Sequence, residues 1–194
     1  MLGKLRAQYE KMVAPAGSVL AKLGITPNMM TAASIAIATF SAYMYASQRP
    51  IFGAILVILT GILDMFDGAI ARSTGKTSRF GATLDHVVDR YAEFLIMIGM
   101  IAGSYTAWYW GLFTIFGMIM ASFTRAKAES VGGLASCTVG IAERQEKLLV
   151  LIGASIIDPI VPGVLNYGII VVGILSHITV AQRLHFTYQQ IQGA

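Results

Sequence analysis

Charged residues are scarce in this sequence, since Asp, Glu, Lys and Arg together make up 12% of its 194 residues. A soluble globular domain contains about 25% of such residues. Hydrophobic residues instead make up 56% of the chain. For a chain with the length of about one domain, this excess predicts an integral membrane protein and not a larger soluble core.

Cysteine is nearly absent as well, because Cys137 is the single one in the chain. This excludes a disulfide within the chain. We expect no removable signal peptide, because the N-terminal residues lack a short apolar core followed by a small-residue cleavage site. Residues 1–24 are instead basic and amphipathic. They predict a juxtamembrane helix that lies along an anionic membrane surface.

Long apolar segments occupy most of the remaining chain, residues 25–194, which we predict to form one transmembrane domain. A helix needs about 20 residues to cross a bilayer. Six segments reach or approach this length, near residues 29–47, 51–72, 83–104, 107–127, 146–158 and 161–183. The fifth is short and is expected to begin earlier or to be tilted. The predicted fold is therefore an all-α integral membrane protein with six transmembrane helices after an amphipathic N-terminal interfacial helix.

The basic residues are distributed unevenly between the two sides of these spans. If the N-terminus is cytoplasmic, 12 of the 14 Lys and Arg residues lie on the cytoplasmic side. These are Lys4, Arg6, Lys11, Lys22, Arg72, Lys76, Arg79, Arg125, Lys127, Arg144, Lys147 and Arg183. This positive-inside bias predicts a multi-pass cell-membrane protein with a cytoplasmic N-terminus.

Four of the ten acidic residues lie in one 26-residue window. Asp64 and Asp67 are three residues apart at the inner end of the second span, and Asp85 and Asp89 are four apart at the inner start of the third. These spacings place each pair on one helix face. Because a short connection joins the two spans, we expect the two faces to meet.

Carboxylates at membrane depth cost a few kcal/mol each, so protons, cationic side chains or metal must neutralise them. One alternative is that they pair with Arg72, Arg79 and Arg90 and only hold two helices together. We favour metal, because dense oxygen ligands suit Mg²⁺, Mn²⁺ or Ca²⁺ and not zinc. His86 follows Asp85 directly, and we expect it on another helix face, packed or interfacial rather than a ligand.

The residues around these acids form a longer pattern. Asp64-x-x-Asp67-Gly68-x-x-Ala71-Arg72 is followed by eight residues and then by Gly81-x-x-x-Asp85-x-x-x-Asp89. The pattern resembles the signature of the CDP-alcohol phosphotransferases, and every signature position is filled. The likeness extends to six membrane helices and an amphipathic N-terminal helix, so it covers essentially the whole chain.

The resemblance implies a reaction in which a CDP-linked lipid donates its phospho-lipid group to a hydroxyl acceptor and CMP leaves. It implies that Asp64, Asp67 and Asp85 bind two Mg²⁺ ions, or Mn²⁺ in their place, and that Asp89 touches one of them. Asp89 is further implied as the base that takes the proton of the acceptor hydroxyl. The site would be cytoplasmic and the protein a homodimer among membrane lipids, with no nucleic acid partner.

The resemblance also implies contacts with the CDP group at the start of the first span and around the acids. These positions are Pro27, Asn28, Thr31, Asp64, Asp67, Gly68, Arg72 and Ser78. Helix capping is the alternative for Pro27 and Asn28, since both residues are common where a helix begins. For Gly68, close packing of helices is the alternative to a binding role.

A second group of charges flanks the connection after the fourth span. The runs from Ser122 to Glu129 and from Gly140 to Lys147 are similar to those of family members that use inositol phosphate, with Lys and Arg exchanged at some positions. By this likeness Arg125, Lys147 and Arg183, with Arg144 as a further position, hold the phosphate of the acceptor. The alternative is ordinary positive-inside charge in contact with lipid head groups.

These observations lead to one favoured function and two alternatives. We predict transfer from CDP-archaeol, or from CDP-diacylglycerol, to myo-inositol phosphate, because residues 133–147 look closer to the archaeal family members. Transfer to glycerol phosphate is the alternative within the family. A divalent-cation transporter is the alternative from another class, but it would need acids near the bilayer midplane rather than at inner helix ends.

Overall fold

The computed structural model of the protein describes residues 6–75 and 77–192. In these residues the chain forms seven α-helices and no strand, which agrees with the all-α prediction. The helices are α1 (Arg6–Lys22), α2 (Pro27–Ala46), α3 (Pro50–Ser73), α4 (Arg79–Ala102), α5 (Trp108–Ser130), α6 (Arg144–Ile157) and α7 (Val164–Gln192). Lys4 and Lys76 lie outside the described residues.

Helices α2 and α6 begin where the sequence supplies capping groups. Thr26 caps α2, because its hydroxyl accepts the N–H of Met29 at 3.3 Å, and Pro27 occupies the first helical position, where no N–H is needed. At α6, Glu143 and Glu146 form a capping box, in which the Glu146 carboxylate accepts the Glu143 N–H at 2.8 Å. Such caps satisfy N–H groups that have no partner inside the helix.

The chain divides into two compact units, of which the first ends at Gly99 and the second begins at Met100. In the first unit, α2 and α3 form a hairpin in which the Ser41 hydroxyl donates to the carbonyl of Gly53 at 2.9 Å. Gly17 brings α1 against α3, since a Cβ at this position would lie 2.7 Å from the Cβ of Ala69. This contact places α1 directly beside the part of α3 that carries the aspartates.

In the second unit, α5 and α7 pack closely through small and hydroxyl side chains. The Thr114 hydroxyl donates to the carbonyl of Ile169 at 2.8 Å, and a Cβ at Gly173 would lie 2.6 Å from the Thr114 hydroxyl oxygen. Gly168 makes the corresponding approach of α7 to Ala154 of α6. Small residues and buried hydroxyl bonds are the usual means by which helices associate in a membrane.

Three of the helices, α2, α3 and α7, are long and apolar enough to cross a membrane. Large apolar side chains such as Phe40, Phe52 and Phe116 are exposed on the surface, as expected of side chains that face lipid. The α6 helix has 14 residues, a length of about 21 Å against a hydrocarbon core of about 30 Å. The count of six spans and the interfacial position of α1 stay predictions.

Candidate functional site

The aspartates at the end of α3 and the start of α4 come together in the first unit. One carboxylate oxygen from each of Asp64, Asp67 and Asp85 lies within 4.8 Å of the other two. Asp67 is buried, and Asp64 and Asp85 are half-buried. The two helix faces predicted from the spacings of three and four residues therefore meet.

A second group shares Asp85 with the first. Here Asp85, His86 and Asp89 each offer a ligand atom within 4.8 Å of the others. We expected His86 on another face, yet its ring nitrogen lies near these acids. The signal was present in the spacing, because His86 precedes Asp89 by three residues and thus shares its helix face.

The oxygen spacing fits a divalent cation. Oxygen ligands lie about 2.1 Å from Mg²⁺ and about 2.4 Å from Ca²⁺, so two ligands of one ion are up to roughly 4–5 Å apart. Carboxylates this close also repel one another unless a proton or a cation lies between them. Asp67 and Asp89 are each 8% exposed, so water alone screens this repulsion poorly.

The start of α2 reaches the same site through Thr31. Its hydroxyl lies 3.3 Å from Oδ2 of Asp67 and 3.1 Å from the carbonyl oxygen of Pro27. Pro27 and Asn28 thus begin the helix turn whose next polar side chain contacts an aspartate. Thr26 and Pro27 start the helix, as the capping alternative states, and Thr31 joins the acidic site. The CDP contacts of this segment stay a prediction.

Gly68 and Arg72 lie one helix turn apart and are in contact. A Cβ at Gly68 would lie 3.2 Å from Nη1 of Arg72, and its three nearest atoms would all belong to that guanidinium. At this position the glycine makes room for the arginine and not for a neighbouring helix. The Arg72 side chain can therefore lie back along α3 towards the aspartates.

Ser78 has a structural contact at the start of α4. Its hydroxyl oxygen accepts the N–H of Gly81 at 2.9 Å, and its carbonyl accepts the N–H of Ala82 at 3.1 Å. Because a serine hydroxyl is also a donor, this bond leaves its hydrogen available for an anion such as phosphate. Capping and binding are compatible at this residue.

The contacts of Arg90 bear on the alternative that arginine side chains neutralise the four aspartates. Its guanidinium lies 2.9 Å from Glu93 and 3.9 Å from Asp89, so Glu93 is its closer partner. Glu93 is buried, and sequence reasoning did not single it out. Its position three residues after Arg90 was the available signal for this pair.

The predicted acceptor-binding residues all lie in the second unit. Arg183 is buried and donates from Nε to the carbonyl of Val139 at 2.9 Å and from Nη1 to that of Ala121 at 2.6 Å. Lys147 is also buried, and Arg144 is half-buried at the first position of α6. Arg125 is exposed and donates from Nε to Glu129 at 3.0 Å.

The chain is similar to one described family over most of its length. A sequence profile of the CDP-alcohol phosphatidyltransferase family matches residues 24–181. An archaetidylinositol phosphate synthase of Pyrococcus horikoshii is 34% identical over 192 residues, which are 99% of this chain and 99% of that protein.

Solved structures of one protein are similar to this fold. The phosphatidylinositol phosphate synthase PgsA1 of Mycobacterium tuberculosis, with CDP-DAG bound, matches with a TM-score of 0.82 and 26% identity over 92% of this chain and 94% of that one. The same protein in complex with manganese and citrate also has a TM-score of 0.82 and 26% identity, over 91% of this chain and 88% of that one.

Proposed function

Since the chain belongs to the CDP-alcohol phosphatidyltransferase family, we propose that it transfers the phospho-lipid group of a CDP-lipid to inositol phosphate and releases CMP. It is a phosphotransferase of phospholipid biosynthesis and a multi-pass membrane protein. A relative that makes an inositol phosphate lipid matches it from end to end, and this observation carries the proposal. Membership in an enzyme family also argues against the alternative that the protein is a cation transporter.

We propose that Asp64, Asp67 and Asp85 hold two divalent cations, Mg²⁺ or Mn²⁺, and that Asp89 touches one of them. The close approach of the oxygens of Asp64, Asp67 and Asp85 supports a shared ion, and the likeness to a protein crystallised with manganese supports the ion class. When bound, such cations stabilise the charge that develops on a diphosphate as it reacts.

Asp89 is proposed as the base. The acceptor hydroxyl oxygen forms a bond to the lipid-side phosphorus, and the bond from that phosphorus to the bridging oxygen breaks. CMP leaves with the electron pair, and the hydroxyl proton passes to the Asp89 carboxylate. Asp89 suits this role because it lies in the group with Asp85 and His86, whereas Asp64, Asp67 and Asp85 form the other group.

The CDP group is proposed to bind at the inner ends of α2, α3 and α4. Thr31 supports this, since its hydroxyl already contacts Asp67. Gly68 supports it by leaving room for the guanidinium of Arg72, a side chain suited to phosphate oxygens. The remaining proposed contacts are Pro27, Asn28, Asp64 and Ser78.

The acceptor phosphate is proposed to bind Arg125, Lys147 and Arg183, with Arg144 as a further contact. Arginine and lysine side chains are the usual partners of phosphate oxygens, and all four of these residues are of these two types. Arg183 already donates to two backbone carbonyls, so it would contribute the remaining donors of its guanidinium. The exposed guanidinium of Arg125 can reach a soluble acceptor directly.

Four finer points belong to the same proposal. The donor is CDP-archaeol rather than CDP-diacylglycerol, because the archaeal relative matches the chain over its full length. The N-terminus and the active site are cytoplasmic, because the basic residues favour that side. Six helices cross the membrane after an interfacial α1. The active protein is a homodimer, as the family resemblance suggests.

Purified protein in detergent with lipid tests the proposal. CMP release is measured with CDP-archaeol or CDP-diacylglycerol, with Mg²⁺ or Mn²⁺, and with a panel of acceptors: inositol phosphate, inositol, glycerol phosphate and serine. We expect inositol phosphate to give the highest kcat/KM and EDTA to abolish release. Preference for glycerol phosphate would establish the alternative acceptor, and no release with any acceptor would overturn the proposal.

A further inference from the structure

The connection between α5 and α6, residues 131–143, is fastened to the second unit by hydrogen bonds at several points. Arg183 of α7 donates to the carbonyl of Val139 at 2.9 Å. The side-chain oxygen of Gln182 accepts the N–H of Ile141 at 2.8 Å. Gly140 lies against Thr179, where a Cβ would approach to 2.6 Å. The connection is therefore a built part of this unit.

Glu129 at the end of α5 also holds this connection, and one of its carboxylate oxygens accepts two hydrogen bonds. Its Oε1 accepts the backbone N–H of Cys137 at 3.0 Å and also the Nε–H of Arg125 at 3.0 Å. Cys137 is fully buried, so the first bond fixes the carboxylate against the interior. The second bond then fixes the guanidinium of Arg125 relative to that interior.

The atom that Arg125 uses decides what the rest of its guanidinium can do. Arginine carries five N–H donors in a planar fork, and only Nε–H is directed at Glu129. The four donors on the two Nη atoms form the edge that binds phosphate in bidentate fashion. The Arg125 side chain is 47% exposed, so this edge is accessible to a solute.

Glu129 also offsets the positive charge of two arginines in this region. Arg125 and Arg183 are close enough for their like charges to interact unfavourably, and Glu129 is attracted to both. Glu129 lies beyond the predicted span of residues 107–127. Burial tends to raise the pKa of its carboxyl, but the Cys137 N–H and the Arg125 guanidinium outweigh burial and hold the pKa below its ordinary value.

We propose that Glu129 is a positioning residue that orients Arg125 towards the phosphate of the acceptor while it fastens the connection of residues 131–143. The inference rests on the proposed function, since it concerns the acceptor that the enzyme uses. Glu129 does not touch the acceptor. It restricts the rotamers of Arg125, so that binding of the phosphate orders less side chain.

Two substitutions of Glu129 separate orientation from fastening. Glu129→Ala removes both hydrogen bonds. Glu129→Gln keeps an oxygen that can accept the Cys137 N–H but removes the charge that holds Arg125. In Glu129→Ala we expect the KM for inositol phosphate to rise about tenfold, the fold-change that corresponds to a charged hydrogen bond. In Glu129→Gln we expect a rise of about threefold, the fold-change that corresponds to a neutral hydrogen bond. The KM for the CDP-lipid is expected to stay within about twofold.

Asp158→Asn is the matched control. Asp158 is also half-buried, and its Oδ1 also accepts two hydrogens, the N–H groups of Gly163 and Leu165 at 3.1 and 3.0 Å. It caps a turn between α6 and α7 and contacts no acceptor-binding residue proposed above. Its substitution should lower thermal stability without raising the KM for inositol phosphate. Equal KM changes in Asp158→Asn and Glu129→Gln would overturn the inference.

A double-mutant cycle with Arg125→Ala makes the test specific. If Glu129 acts through Arg125, Glu129→Gln should change the KM for inositol phosphate by less than about twofold when Arg125 is already Ala. A threefold rise in that background would overturn the inference. A failure of the proposed function would be recognised by a different result, because wild-type protein would then release no CMP with inositol phosphate. If Glu129→Ala does not fold, Glu129→Gln alone completes the cycle.

Discussion

Asp89 differs from Asp64 and Asp67 in its immediate neighbours. It lies in a group with Asp85 and His86, and Arg90 is 3.9 Å away. Asp64 and Asp67 instead share their group with Asp85, and Asp67 has the hydroxyl of Thr31 beside it. At the scale of single residues, this difference supports separate roles for the aspartates.

Asp89→Asn removes the proposed base while it keeps an oxygen of similar size. We expect CMP release to fall by at least about 100-fold, the usual contribution of a general base. Mn²⁺ binding, measured by calorimetry or paramagnetic resonance, should stay within a few-fold of wild type. Asp64→Asn serves as the comparison and should weaken Mn²⁺ binding. Turnover near the wild-type rate in Asp89→Asn would remove Asp89 as the base.

Thr31→Val removes the hydroxyl beside Asp67 without changing the shape of the side chain. A net hydrogen bond contributes about 1 kcal/mol, so we expect kcat/KM for the CDP-lipid to fall about fivefold. Thr39→Val is the control on the same helix, since the exposed Thr39 hydroxyl donates only to the carbonyl of Ile35. Similar losses in the two variants would contradict a role for Thr31 in the site.

The contact of α1 with α3 is the element-scale feature that bears most directly on the site. Gly17 meets Ala69, and Ala69 is two residues from Asp67 and one from Gly68. Because both helices approach through small residues, their backbones lie close together. The position of α1 therefore limits how far the end of α3 can move.

Gly17→Leu is expected to push α1 away from α3. A Cβ alone would lie 2.7 Å from the Cβ of Ala69, and overpacking of this kind costs about 1–3 kcal/mol. The midpoint of thermal unfolding in detergent should fall, and CMP release should fall with it. Gly61→Leu on α3 is the control, since nothing lies within 4 Å of a Cβ there. Equal unfolding midpoints would show that the contact does not matter.

The helices themselves were largely predictable from the sequence. The segments predicted at 29–47 and 51–72 became α2 and α3, and each begins at a proline, Pro27 or Pro50, a residue favoured at the first helical position. The meeting of the aspartates was predictable for the same local reason, since spacings of three and four fix a helix face.

The contacts around residues 131–143 were not predictable in this way. Arg183 bonds to Val139 across 44 positions of the chain, and no periodicity relates an arginine to a distant backbone carbonyl. Sequence similarity assigned Arg183 to the acceptor phosphate, and only the folded chain revealed its carbonyl partners. Glu129 escaped notice because its second partner is a backbone N–H, which every residue except proline carries.

At the scale of the whole molecule, exposed aromatic side chains agree with the proposed ends of the membrane spans. Tyr43 lies near the end of α2, Trp108 and Tyr109 begin α5, and Tyr167 lies near the start of α7; all are more than half exposed. In the proposed topology each of these helix ends faces outward. Trp and Tyr are enriched at such membrane boundaries.

Single cysteines test this topology directly, because the native Cys137 is fully buried. Arg49→Cys lies in the turn between α2 and α3, and Thr77→Cys lies between α3 and α4; both positions are exposed. A membrane-impermeant maleimide should label Arg49→Cys in intact cells and Thr77→Cys only after permeabilisation. Wild-type protein should stay unlabelled in both cases. Labelling of Thr77→Cys in intact cells would show that the orientation is opposite to the proposed one.

The division of the chain at Gly99 and Met100 has a consequence for how such enzymes diversify. The residues proposed for the nucleotide and the metal all precede the division, and those proposed for the acceptor phosphate all follow it. Substitutions in the second half can then alter which alcohol is accepted, while the reactive chemistry in the first half is inherited unchanged.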